Sequence, residues 1–285
     1  MPVSAENVRS LQPYDIRVLM AVERLMRRYR WVPLDVLRQT TGFSESEVSY
    51  RLGRLMNMDL VKSSTVPYEG FQMVFAGYDT LALHTLTRRG TIQALGPLIG
   101  EGKEAVVYEA LGFGPVVLKF HRIGQRSFQT ARRSRGYMPG GGHFPWIFAS
   151  TSSAKREFEA LNQLFDEIKV PVPLDQNRNV VVMSLIQGTT INRCTLPDPA
   201  ASFEQVLGFV ETAFRLGIVH GDLSEFNIMF DDEECWIIDW PQWVEADHPN
   251  SEEILARDVT NVLNHFEKKY GLSCSLEDAM ARVVG

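Results

Sequence analysis

Cysteine is scarce in this sequence: Cys194, Cys235 and Cys274 are an odd number with no close pair. That spacing excludes a disulfide framework and a paired-cysteine zinc site, and it predicts buried, reduced thiols. No apolar run approaches the roughly 18 residues that a membrane span requires. The opening MPVSAENVRS lacks the basic-then-apolar order of a secretory signal. A soluble cytoplasmic protein with no membrane partner is therefore expected. What is present is globular: 45% hydrophobic and 22% charged residues in a chain of 285 exclude disordered and fibrous classes and suffice for one large domain or two modest ones.

Acidic residues are missing from one whole stretch. Residues 110–156 hold eight basic side chains and no acidic one, whereas 157–285 hold 8 basic and 23 acidic, and 1–98 hold 12 and 9. The net charge of −6 thus conceals a dipole. The acid-free stretch, with Arg122, Arg126, Arg132, Arg133 and Arg135, suits a polyanion such as RNA or nucleotide phosphate as well as it suits a solvated loop.

Near the N-terminus, Ile16, Leu19, Met20, Val22, Leu25 and Met26 recur at helical spacing and predict a helix over 14–28. A second helix fits 33–40, with Pro33 in its first turn. In TGFSESEVSYRLGRLMNM, Gly42 makes a turn, Ser44 caps the next helix, and Glu47 would complete a capping box. Val48, Leu52, Leu55 and Met56 form its buried stripe. LVKSSTV and FQMVFAGY then alternate as two strands around the turn at 67–70. This order predicts a winged helix-turn-helix over 1–84, joined by a connection at 85–98 to a second domain over 99–285. Arg51 and Arg54 would lie on the exposed side of the recognition helix and Lys62 in the wing, where nucleic-acid phosphate contacts are made. Docking of another protein is the alternative use of such a module.

The second domain lacks a Walker A loop, because Lys103 is followed by Glu104 and position 97 is proline. It also lacks a Rossmann turn, because a strand follows the glycines where a helix should open. The series Gly100, Gly102, Ala105, Val107 instead fits the kinase loop GxGxxGxV with its third glycine replaced. Lys119, inside VVLKF, occupies the place of the lysine that holds the α and β phosphates. A buried ammonium there needs a carboxylate, and of Glu157 and Glu159 on the next predicted helix, Glu157 is preferred.

IVHGDLSEFNIMF and CWIIDWPQ are the most informative passages. His220, Asp222 and Asn227 reproduce HRDxxxxN with Gly221 in place of arginine, and Asp239 follows Asn227 by twelve residues at the end of an apolar strand. One carboxylate can orient an attacking hydroxyl or water. Asn227 and a second carboxylate can hold magnesium against the β and γ phosphates, so that developing charge is neutralised. His220 is expected to hydrogen-bond the loop backbone rather than react.

The whole chain resembles the RIO family of atypical serine/threonine protein kinases, in its branch with an N-terminal winged helix. The residues that carry the resemblance are GEGKEA, VVLKF, HGDLSEFN, IDWPQ, His248 to Asn250, and Arg257 with Asp258. The resemblance implies an α+β fold: the winged helix followed by a minimal bilobal kinase, N-lobe about 94–185 and C-lobe about 186–285. It places a hinge near Met183, Ser184 and Ile186, beside the adenine of ATP. It further implies that Gly100, Glu101, Gly102, Lys103, Glu104 and Ala105 cover the phosphates, that Lys119 contacts them, and that Asp222 is the catalytic aspartate. Asn227 and Asp239 would bind Mg2+, or Mn2+ in its place, and Asp239 could accept the γ-phosphate as an aspartyl-phosphate. The implied role is an ATPase cycle on the precursor of the small ribosomal subunit and its rRNA, alongside assembly factors. Two departures stand out: Ala105 where serine is frequent, and Ser184 where an acidic residue is usual. The stretch 122–146 corresponds to the family's flexible loop. With no long tail after the kinase region, an archaeal or minimal form is expected.

Only 46 residues follow Asp239, and they contain no APE motif and little room for a peptide-docking lobe. ATP hydrolysis coupled to a binding switch is expected in preference to efficient phosphorylation of other proteins. Two rivals remain. An aminoglycoside- or choline-type phosphotransferase also carries HGD, a downstream Asn and IDW, and would use an acidic pocket for a cationic alcohol. A winged-helix regulator with an ATP-sensing, degenerate kinase domain is the other, against which stands the complete set Lys119, Asp222, Asn227 and Asp239.

Overall fold

The structure is a computed structural model; it describes residues 5–123 and 146–285. Arg126, Arg132, Arg133 and Arg135, expected to meet a polyanion, lie outside the described residues, as does most of the expected flexible loop. The chain divides into two units, Met1–Ala154 with Asp175–Val182, and Lys155–Leu174 with Met183–Gly285.

In the first unit a short helix α1 (Ala5–Ser10) precedes α2 (Pro13–Leu25), whose Ile16, Leu19, Val22 and Leu25 are buried as predicted, with Val18 buried beside them and Met20 exposed instead. Strand β1 (Val32–Pro33) leads into α3 (Leu34–Thr41), which ends at Gly42 in the left-handed conformation, φ +69°. Helix α4 (Glu45–Asn57) begins where expected, the Ser44 hydroxyl accepting from the Glu47 amide at 3.2 Å. Strands β2 (Val61–Ser64) and β3 (Gly70–Met73) form the wing, and with β1 give an antiparallel sheet of order β1-β3-β2. This is the winged-helix arrangement.

Four expectations about this module need correction. The second wing strand stops at Met73, and α5 (Phe75–Arg89) begins where alternation was expected to continue to Tyr78. Tyr78, Leu81, Ala82 and Leu86 supply a helical stripe there, and burial of that stripe outweighs the short alternating run. Residues 85–98, expected as the connection between domains, are the end of α5 and much of β4 (Ala94–Glu101). The largest change concerns Arg51 and Arg54. Asp15 on α2 is wholly buried, and its carboxylate meets Arg51 Nη1 and Arg54 Nη2, each at 3.2 Å. Glu47 accepts from Arg51 Nε at 2.7 Å instead of completing a capping box. A buried carboxylate requires countercharge, so Arg51 is drawn inward and buried, while Arg54, its side chain 30% exposed, turns part of its guanidinium to the same carboxylate. Lys62 does remain exposed in the wing, its Nζ 5.6 Å from the centre of the Trp31 ring.

β5 (Ala105–Leu111) and β6 (Pro115–His121) continue the chain, and after α6 (Trp146–Leu164), β7 (Pro173–Asn177) and β8 (Val180–Ser184) complete a sheet of order β4-β5-β6-β8-β7. Val106, Tyr108, Val116, Leu118, Phe120, Val180 and Val182 bury one apolar cluster with Ala82, Leu83 and Leu86 of α5. Tyr78 and Leu81, one turn earlier, belong to the winged-helix core. One helix thus serves two cores. Arg122, counted in the basic stretch, is likewise no surface cation: it is buried, with Nη2 at 2.5 Å from Asp79 Oδ2.

The second unit contains β9 (Thr189–Thr190), α7 (Pro199–Arg215), β10 (Ile218–Val219), β11 (Ile228–Phe230), β12 (Cys235–Ile237), β13 (Val244–Glu245), α8 (Ser251–Tyr270) and α9 (Leu276–Val284). Short antiparallel sheets β12-β11-β9 and β10-β13 bring the ends of β10, β11 and β12 into ordered loops. All three cysteines are unpaired, but only Cys235 is buried; burial pushes its thiol up to about 11. Among the described residues no helix is long and apolar enough to cross a membrane.

Candidate active site

The loop after β10 carries His220, Gly221 and Asp222. Gly221 sits at φ +81°, and a Cβ there would lie 2.4 Å from the Gln242 carbonyl oxygen, so both backbone and packing demand glycine. Asp258, on the apolar stripe of α8 and only 1% exposed, fixes the loop: its carboxylate accepts from Gly221 N at 2.7 Å and Leu223 N at 3.2 Å. Burial pushes Asp258 up to about 6, against the pull of those amides and of Arg257. The Arg257 guanidinium donates to the Gly221 carbonyl. His220 is structural, as its position suggested. Its Nδ1 accepts from the Asp222 amide at 3.2 Å and its Nε2 lies 3.0 Å from the Ile238 carbonyl, an arrangement that assigns the proton to Nε2. Its ring packs on Trp240, centroids 4.5 Å apart.

Asn227 lies just before β11 and Asp239 just past the end of β12. The register Ile228↔Ile237 sets Asn227 beside Ile238, whose amide donates to the Asn227 carbonyl at 2.9 Å. Asn227 Nδ2 donates to the Asp222 carbonyl at 2.8 Å, which leaves the lone pairs of Oδ1 for another partner. Asp239 adopts φ +69°, a conformation that aspartate tolerates better than most residues. Burial first, and then the negative charge of Asp239, pushes Asp222 above the ordinary carboxylate range; Arg257 opposes both. The structure therefore brings Asp222, Asn227 and Asp239 together on two hydrogen-bonded loops. A carboxamide oxygen and a carboxylate form an all-oxygen donor set, which suits Mg2+ or Mn2+ with water and phosphate oxygens completing the coordination.

The first unit holds the other predicted residues. Gly100 and Glu101 pair with Val107 and Val106, and Gly102 N bonds the Ala105 carbonyl at 2.9 Å to close a short hairpin. Added Cβ atoms at Gly100 and Gly102 would meet ordinary contacts at 3.6 and 3.7 Å, and neither residue has positive φ. Packing within the protein does not require these glycines, and close approach of an external anion to bare backbone is a role that does. Glu101 and Lys103 are exposed, and Glu104 and Ala105 are half-buried. Lys119 is buried on β6 opposite Val107.

In the second unit Glu157 is buried, Oε1 accepting from Trp240 N at 3.3 Å, whereas Glu159 is exposed. Met183 is buried near the end of β8, and Ile186 is half-buried beyond it. Ser184 is tied to Val172 twice: its amide donates to the Val172 carbonyl and its hydroxyl accepts from the Val172 amide, both at 2.9 Å. The residue whose role sequence reasoning missed is Asp258. Its signal was an acidic side chain set among Leu255, Val259 and Val262 on a helix's apolar stripe.

Comparison with known proteins identifies the family. Residues 106–279 match the RIO domain family and residues 8–89 match the family described as Rio2, N-terminal. The RIO-type serine/threonine-protein kinase Rio2 of Methanocaldococcus jannaschii is 38% identical over 252 residues, 85% of this chain and 92% of that protein. The serine/threonine-protein kinase rio2 of Dictyostelium discoideum is 32% identical over 95% of this chain, which spans about half, 53%, of that protein's length. A crystal structure of the Rio2 kinase-ADP/Mg2+-phosphoaspartate complex from Chaetomium thermophilum superposes with a TM-score of 0.85 at 30% identity, covering 99% of this chain and 89% of that one. With its N-terminal module and its HGDLSEFN and IDW loops alike accounted for, the chain belongs to the RIO family of atypical serine/threonine kinases.

Proposed function

We propose that this protein is a Mg2+-dependent ATP phosphotransferase that works through a phosphorylated Asp239, in a cycle of ATP hydrolysis on the precursor of the small ribosomal subunit and its rRNA. The observation that carries the chemistry is the hydrogen-bonded block of Asp222, Asn227 and Asp239. Asn227 Oδ1 and the Asp239 carboxylate would hold the cation. When bound, it neutralises charge that develops on the phosphates.

The protein's own groups do the rest. Gly100 to Ala105 offer backbone to the phosphates, and Lys119 supplies fixed positive charge. A carboxylate oxygen of Asp239 attacks the γ-phosphorus, forming an O–P bond as the bond to the β-phosphate oxygen breaks and its electron pair leaves with ADP. Asp222 then orients a water or hydroxyl that attacks the same phosphorus and returns Asp239 to a carboxylate. The ribosomal setting and assembly-factor partners rest on family membership. With Arg51 buried against Asp15 and Arg54 partly committed to it, exposed Lys62 is the most open of the described nucleic-acid candidates.

The test is incubation with γ-labelled ATP and Mg2+, acid quenching and hydroxylamine treatment. Protein-bound label that hydroxylamine releases, and that Asp239→Asn lacks, is the expected result. Acid-stable label would place the phosphate on a serine or threonine instead, and absence of both label and phosphate release would overturn the enzymatic reading.

A further inference from the structure

The winged-helix module does more than present a surface: it sends a carboxylate into the neighbouring sheet. Asp79 lies on α5, within the residues that match the Rio2 N-terminal family, and is completely buried. Its Oδ2 accepts from Arg122 Nη2 at 2.5 Å and its Oδ1 from Asn179 Nδ2 at 2.7 Å. Asn179 Nδ2 also reaches the His121 carbonyl at 3.0 Å, and its own carbonyl accepts from the His121 amide at 2.8 Å. Arg122 in turn donates its backbone amide to the Glu104 carbonyl at 2.7 Å. Glu104 is in the glycine hairpin, between Gly102 and Ala105. One carboxylate therefore holds the segment that follows Lys119 and, through a single residue, the hairpin expected to cover phosphate.

We infer that Asp79 is a positioning residue for nucleotide binding, acting through Arg122 on the Gly100–Ala105 hairpin, so that the N-terminal module sets the geometry of the phosphate loop. The inference rests on the proposed ATP reading for its consequence, although the tether exists independently of nucleotide. Arg122 is only 8% exposed, so removing Asp79 strands a buried guanidinium that must move toward water. Its amide belongs to the same residue and moves with it, and the Glu104 carbonyl loses its donor. A hairpin released in this way samples conformations that cannot bind phosphate, and apparent affinity falls by the fraction that remains competent.

The experiment uses the full chain and two readouts: calorimetric titration of ADP with Mg2+, and backbone hydrogen exchange without nucleotide. Asp79→Asn should weaken ADP binding by about tenfold and speed exchange of the Arg122 and Gly102 amides. A second variant, Asp79→Leu with Arg122→Met, removes the ion pair while keeping the volume apolar, an exchange that often preserves folding. It should show the same loss. Leu55→Ala, in the winged-helix core far along the chain from the hairpin, controls for destabilisation and should bind ADP as the wild type does. Wild-type affinity and unchanged exchange in a folded Asp79 variant would overturn the inference, as would equal weakening in Leu55→Ala. If the wild-type chain binds no ADP, the nucleotide reading fails, and exchange at Arg122 still decides whether Asp79 holds the hairpin.

Discussion

Asp258 gives a perturbation whose size and sign can both be worked out. Its carboxylate is buried and its pKa stands at about 6 instead of 3.8, a difference of about 3 kcal/mol at about 1.4 kcal/mol per pH unit. Between those two values the folded protein keeps a proton that the unfolded chain has released. The group's contribution to stability is thus complete below pH 3.8 and is lost as pH rises through about 6. Asp258→Asn keeps the shape and abolishes the titration. Urea unfolding followed by tryptophan fluorescence should show the wild type losing about 2–2.5 kcal/mol relative to the variant between about pH 4 and 7. At neutral pH the variant loses a charged acceptor for two amides, worth about 1.5–3 kcal/mol, and escapes a desolvation cost of similar size, so the two proteins should be nearly equally stable. Turnover should not be equal. The new carboxamide can turn only one oxygen toward Gly221 N and Leu223 N, one tether of the Asp222 loop is lost, and ATP hydrolysis should fall by at least about tenfold. A stability difference that stays constant with pH, or wild-type turnover in the folded variant, refutes the reasoning.

Gly221→Ala should lower unfolding stability by about 2 kcal/mol or more, from left-handed strain and the clash with the Gln242 carbonyl, and should reduce ATP hydrolysis with it; wild-type stability in urea would contradict the loop geometry. Arg51→Ala leaves Asp15 with Arg54 as its remaining guanidinium and should cost about 2–4 kcal/mol, whereas Lys62→Ala should stay within about 0.5 kcal/mol; urea midpoints in the reverse order would return Arg51 to the surface. Asn227→Ala should raise the Mg2+ concentration for half-maximal labelling by at least about tenfold, and an unchanged requirement would remove Asn227 from the cation site.

Much of this molecule is legible wherever short-range chemistry decides the outcome. Ser44, Gly42 and the stripe Val48, Leu52, Leu55 place α4 without reference to the rest of the chain. Spacing alone also picks out Asp222, Asn227 and Asp239, because a tight loop and a two-stranded hairpin leave little freedom in how they meet. The readings that needed correction depend on a partner distant in sequence. Arg51 and Arg54 look exposed until Asp15, 36 and 39 residues away, is found buried beneath them. Arg122 looks like part of a basic loop until Asp79, 43 residues earlier, takes its guanidinium. In each case a buried carboxylate settles where a cation goes, and neither residue's local pattern contains that information. The same holds for α5: its alternation reads as strand over a few residues, and only the two cores it serves make the helix the lower-energy choice.

The link between the two catalytic loops is made largely by backbone, which determines what each substitution measures. His220 Nε2 joins Ile238 O, Ile238 N joins Asn227 O, and Asn227 Nδ2 joins Asp222 O. None of these bonds uses the carboxylate of Asp222, so Asp222→Ala leaves the link in place and its loss of turnover reports on the carboxylate alone. Asn227 is different, because its carboxamide both offers Oδ1 to a cation and donates Nδ2 to the loop. Asn227→Asp separates the two roles: it retains oxygen for the cation and gives up the donation to the Asp222 carbonyl. It should keep a Mg2+ requirement close to that of the wild type while turnover falls, the opposite of a variant that has lost only its metal ligand. Should Asn227→Asp and Asn227→Ala show the same raised Mg2+ requirement, the carboxamide acts chiefly by holding the Asp222 loop, and Asp239 carries the cation without it.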